Sequence, residues 1–137
     1  MGLILDSSVL IAGERRGQSV REMLVEIGRS QKDPDIGVSA ITVAELAHGA
    51  ARAETSLRRE RRLRFIQDIA SAIPVYAVTA AIAFHAGLID GENQAKGVRL
   101  PLSDLLIGVT ALELGFGVGT SNLRHFQIVP GLSVTQL

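Results

Sequence analysis

The chain has 137 residues, 47% hydrophobic and 20% charged, with a formal net charge of +0; this describes one ordinary globular domain and excludes both disorder and long-range attraction of the whole molecule to nucleic acid. There is no cysteine, so disulfide frameworks, thiolate zinc sites and thiol nucleophiles are excluded. Aromatic residues are only 4%, so any RNA contact must rest on phosphates, backbone and shape rather than on stacked bases.

Leu3-Ile4-Leu5 reads as a buried strand stopped by Asp6. Neither a signal peptide nor a membrane span is expected from such a start, and the protein reads as soluble and cytoplasmic. Ser7 and Ser8 offer caps for a helix through Val9-Leu10-Ile11-Ala12. Val20, Met23, Leu24 and Ile27 recur at helical spacing, Asp33-Pro34-Asp35 breaks the chain, and Ile36-Gly37-Val38 reads as a second strand. A helix opening at Thr42 follows, and another runs from Arg58 to Ala72 before Pro74. Val75 to Val78 reads as a strand, Thr79 caps a helix through Ile82, Ala86 and Ile89, and Pro101 introduces one with Leu105, Leu106, Val109 and Leu112 on its apolar face. Gly117 to Thr120 and Leu132 to Val134 complete the strands. Alternating strand and helix, without linker or repeat, predicts a single α/β domain over 1–137 with a mainly parallel sheet of about five short strands flanked by helices.

In such a sheet, ligands bind beyond the carboxyl ends of the strands where strand order reverses, and Asp6 lies at one of these ends. Glu45 has a competing structural reading, because Thr42-Val43-Ala44-Glu45 fits a capping box. So does Asp104, which sits in a helix's first turn, where the dipole favours an acid. Together the acids fall at strand-to-helix junctions along one sheet edge, and carboxylates gathered there repel unless a cation or proton intervenes. Mg²⁺ or Mn²⁺ needs only oxygen ligands and can activate water beside a phosphate.

The words around these acids resemble the PIN-domain family, and in particular its VapC-type toxins. They are Leu3-Ile4-Leu5-Asp6-Ser7-Ser8-Val9-Leu10-Ile11, Ser39-Ala40-Ile41-Thr42-Val43-Ala44-Glu45-Leu46, Leu100-Pro101-Leu102-Ser103-Asp104-Leu105-Leu106-Ile107 and, later, Thr120-Ser121-Asn122-Leu123-Arg124-His125-Phe126 with Val129-Pro130-Gly131-Leu132. The last segment resembles the family's final strand and the loop after it. The resemblance implies a metal-dependent endoribonuclease toxin of a type II toxin–antitoxin system, acting on cellular RNA and restrained by a cognate antitoxin. It makes Asp6, Glu45 and Asp104 the catalytic and metal-holding acids, with Ser7 or Ser8 orienting Asp6 or a metal-bound water. Where many relatives have a fourth acid this chain has the neutral Asn122, which puts a second metal in doubt.

Six arginines against two glutamates between Arg52 and Arg64 form the one marked charge asymmetry. Arg58, Arg59, Arg61 and Arg62 are either a solvated helix face or a surface that meets RNA or antitoxin. His125 could touch phosphate or serve as a structural histidine; His48 and His85 receive no role. Asp90 and Glu92 read as surface acids that could supplement the cluster. Apolar helices in a small domain make a homodimer the expected assembly. The rival function is a non-catalytic RNA- or protein-binding module whose acids receive a partner's arginines, and metal dependence of cleavage separates the two. A phospho-receiver domain is discounted because Gly117 to Asn122 holds no lysine.

Overall fold

The computed structural model describes residues 1–137. Apolar residues at every position of Leu3-Ile4-Leu5 suit a strand covered on both faces, and β1 (Leu3–Leu5) is the centre of a five-stranded sheet. On one side of it lie β2 (Ile36–Ser39) and then β3 (Val75–Tyr76); on the other lie β4 (Gly117–Thr120) and then β5 (Val134–Gln136). Every pairing is parallel. The order β3-β2-β1-β4-β5 therefore reverses between β1 and β4, and the crevice beyond their carboxyl ends is the switch point of the sheet. Gly117 permits the approach of the last strand, since a Cβ there would stand 2.9 Å from the Ser133 carbonyl oxygen.

Four helices, α1 (Ser7–Arg15), α2 (Val20–Gln31), α3 (Ala40–Ala51) and α4 (Ser56–Ala72), cover one face. Leu3 and Leu5 point into it and meet Leu10, Met23, Leu46 and Ile69. The alternate residue Ile4 points to the opposite face, where it joins Val118, Ile107, Ala111 and Phe126 beneath α6 (Leu102–Leu114) and α7 (Leu123–Gln127). Outside α6 packs α5 (Ala80–Ala95), through Ile82, Ala86 and Ile89 against Leu105 and Val109. Three layers result, the architecture predicted from the alternation of elements. No helix is long and apolar enough to cross a membrane.

Several boundaries differ from the sequence expectation in ways that matter to the site. Ser7 and Ser8 lie inside the first turn of α1 rather than capping it; Asp6 holds the cap position and makes no capping bond with its side chain. Helix α3 begins at Ala40, because Ser39 caps it directly at the end of β2 by accepting from the Ile41 N–H at 3.1 Å. Thr42 is thus not a cap, and the capping-box reading of Glu45 fails. The third strand stops at Tyr76, the fifth runs over Val134–Gln136 rather than Leu132 to Val134, and the short α7 occupies a stretch expected as a loop.

Candidate active site

Asp6 follows β1, Thr120 ends β4, and both are almost wholly buried in the switch-point crevice. Ser8 Oγ donates to Asp6 Oδ2 at 2.7 Å and Thr120 Oγ1 donates to the same oxygen at 3.0 Å. Each hydroxyl is aimed in turn by a backbone donor, the Ser121 N–H to Ser8 Oγ at 3.1 Å and the Asn122 N–H to Thr120 Oγ1 at 2.9 Å. The loop after β4 thereby fixes one oxygen of Asp6, Oδ2, and no side chain donates to the other. Of the two serines, Ser8 orients Asp6, whereas the Ser7 hydroxyl acts on Glu45. Thr120 does not stand out in the sequence; its only signal is a hydroxyl at a strand's carboxyl end.

Glu45 reaches the crevice from the second turn of α3, and Asp104 from the first turn of α6. Burial pushes the Glu45 carboxyl above its ordinary value, reinforced by the charges of Asp6 and then Asp104, while Ser7 pulls the other way. Asp104 is likewise raised by burial and then by Asp6, against a hydrogen bond from His125. His125 Nδ1 stands 3.0 Å from Asp104 Oδ2. These mutual effects place the three acids in one electrostatic cluster. Glu45 Oε1 is buried with no hydrogen-bond partner. Carboxylates gathered here with no nitrogen or sulfur donor among them, two of them raised by burial and by one another's charge, fit a hard divalent cation, which takes oxygen donors alone. As the side chains stand, no three acidic or histidine groups are close enough together to hold an ion by themselves, so a bound ion would need waters to complete its ligands.

Other sequence candidates lie outside this cluster. The Asn122 side chain is exposed and bonded to none of the acids; only its backbone N–H takes part. Asp90 accepts from Gln94 along α5 at 3.3 Å, Glu92 is exposed, and neither is among the charges acting on Glu45 or Asp104. The arginines divide. Arg58 pairs with Glu54 at the surface, and Arg59 and Arg61 are exposed without ion pairs. Arg62 is half-buried, donates to the Gly49 carbonyl at 2.8 Å, and with Glu45, Ile11, Leu46 and Phe65 lines a cavity of about 170 Å³ between α1, α3 and α4. It belongs to the joint between α3 and α4, not to a solvated face, because it shares a helical stripe with Phe65 and Ile69.

The raised acids predict how stability responds to pH. A carboxyl whose folded-state pKa lies above its unfolded value binds more protons when folded, so stability falls as pH rises from the ordinary carboxylate range through the raised values. In chelator, Glu45→Gln is expected to flatten this decline and to melt at a higher temperature than wild type near neutral pH. Thermal melts across pH check it; a variant melting below wild type would show that Glu45 is a stabilising group.

Comparison with known proteins places this geometry in a family. The model of the PIN domain matches residues 3–131. The tRNA(fMet)-specific endonuclease VapC of Salmonella typhimurium is 35% identical over 97 residues, covering 71% of each chain. Ribonuclease VapC10 of Mycobacterium tuberculosis is 32% identical over 124 residues, or 90% of this chain and 85% of that one. Among solved structures, a DNA-bound VapBC complex from Salmonella typhimurium superimposes with a TM-score of 0.81 at 27% identity, covering 99% of this chain and 98% of the matched one. The chain belongs to the PIN-domain family, and within it to the VapC ribonucleases.

Proposed function

We propose that this chain is the endoribonuclease toxin of a type II toxin–antitoxin pair, cleaving cellular RNA in the cytoplasm with Mg²⁺ or Mn²⁺ held by Asp6, Glu45 and Asp104. The observation that carries the reading is the coupling of the three carboxylates at the switch point, where burial and their own charges raise Glu45 and Asp104. When bound, such an ion acidifies its water and neutralises charge developing on a phosphate. The protein's part is positional. Ser8 and Thr120 lock Asp6, Ser7 lies beside Glu45, and His125 holds Asp104, so these residues would present the carboxylates to an ion in set orientations. The neutral, outward Asn122 supports a single ion rather than two. The cognate antitoxin is the expected partner, as in the VapBC complexes of Salmonella typhimurium and Haemophilus influenzae. Phe84 and Leu88, one turn apart on α5 and 71% and 50% exposed, support the expected homodimer.

Purified protein incubated with pooled cellular RNA and Mg²⁺ tests this function. Discrete fragments are expected; RNA retained by the protein but left uncut would favour the non-catalytic module. Substrate capture is a separate matter. Arg59→Glu with Arg61→Glu is expected to weaken RNA binding and to lower the slope of log affinity against log salt by about one for each phosphate no longer neutralised. Mn²⁺ affinity should stay unmoved, because neither arginine touches the acids. An unaltered salt slope, read by fluorescence anisotropy, would make the pair a solvated face.

A further inference from the structure

Six polar or charged residues are buried, and five of them have partners. Asp6 and Thr120 bond each other, Ser39 caps α3, Asp104 bonds His125, and Thr110 Oγ1 donates back along α6 to the Leu106 carbonyl at 2.7 Å. The sixth, Thr42, is 0% exposed and its Oγ1 has no partner. The contrast with Thr110 has a local cause. A helical threonine satisfies its hydroxyl on the carbonyl four residues earlier; for Thr42 that residue is Val38, which lies in β2 and outside the helix. A buried hydroxyl left unpaired costs about 1–3 kcal/mol, so its retention calls for a partner from outside the protein. One turn on, on the same side of α3, Glu45 Oε1 is also buried and unpaired. A hydroxyl donor and a carboxylate acceptor at this spacing suit one ordered water, which needs two or more polar partners in a buried site.

We propose that Thr42 is a positioning residue of the metal site, its hydroxyl and Glu45 Oε1 holding one water between them so that the other oxygen of Glu45 is fixed towards the bound cation. The water accepts from Thr42 Oγ1–H and donates to Glu45 Oε1. Thr42 touches neither ion nor RNA and acts only through the carboxylate. This rests on the assignment of Glu45 to a cation, and the test keeps the two apart.

Mn²⁺ binding to the full chain without RNA, followed by electron paramagnetic resonance, is the readout. Thr42→Val keeps the branched shape and deletes the hydroxyl; its Mn²⁺ affinity is expected to fall about 10- to 100-fold, the usual range when a group orienting a ligand is removed. Thr42→Ser restores the hydroxyl and with it the affinity. Folded Thr42→Val that binds Mn²⁺ like wild type overturns the role of Thr42 while leaving the acidic site standing. Absence of Mn²⁺ binding by wild type overturns both. Should Thr42→Val fail to fold, Thr42→Ser against Thr42→Ala carries the same comparison, the pair differing only in the hydroxyl, and equal affinities there again overturn the proposal.

Discussion

Asp6→Asn is expected to lower divalent-dependent RNA cleavage by about a thousandfold while leaving the fold intact. The amide oxygen can still accept from Ser8 and Thr120, which donate to a single oxygen of the native side chain. The buried network therefore survives, and removing a charge from a cluster of like charges relieves repulsion. What disappears is the negative charge that Asp6 sets beside Glu45 and Asp104. Stabilisation by a catalytic cation is worth several kcal/mol, and a thousandfold corresponds to about 4 kcal/mol at 1.36 kcal/mol for each factor of ten. Initial cleavage rates beside circular dichroism and melting curves check both halves. Near-wild-type cleavage by the folded variant would remove Asp6 from the chemistry.

Phe126→Ala should cost about 3–5 kcal/mol of folding stability. Phe126 is 0% exposed and anchors α7 against Ile4, Ile107, Ala111 and Val118. That loss is a large share of the 5–15 kcal/mol typical of a native domain. It also bears on the site, because α7 carries His125 to Asp104 and follows the loop whose amides aim Ser8 and Thr120. Urea denaturation in chelator measures the loss. A change below about 1 kcal/mol would mean that α7 is not docked as described.

The fold was legible where periodicity is strong. Leu3-Ile4-Leu5, the stripes of α2, α5 and α6, and the Thr79 cap, which accepts from the Ile82 N–H at 3.2 Å, all stand where the pattern placed them. The acids at the strand ends were legible too, since topology alone sends the carboxyl ends of parallel strands to one edge. The start of α3 was expected at Thr42 and lies at Ala40, because only the end of β2 shows that Ser39 is the cap. Helix α7 has five residues, too few for a period to register, and its place depends on the burial of Phe126. The bond between His125 and Asp104 joins residues 21 apart in sequence and has no local signature. Arg62 was misread as surface for an avoidable reason. Its spacing of three and seven from Phe65 and Ile69 already placed it on the buried stripe of α4.

The central claim, that these carboxylates work through a divalent cation, is tested most directly by removing the ion and returning it. Wild-type protein stripped with chelator is mixed with labelled RNA, and cleavage is followed before and after excess Mg²⁺ or Mn²⁺, with Glu45→Gln treated in parallel. The predicted result is cleavage that stops in chelator, returns with either ion for wild type, and stays at least about 100-fold lower for Glu45→Gln. Cleavage that persists undiminished in chelator, or that Glu45→Gln supports as well as wild type does, would contradict the account.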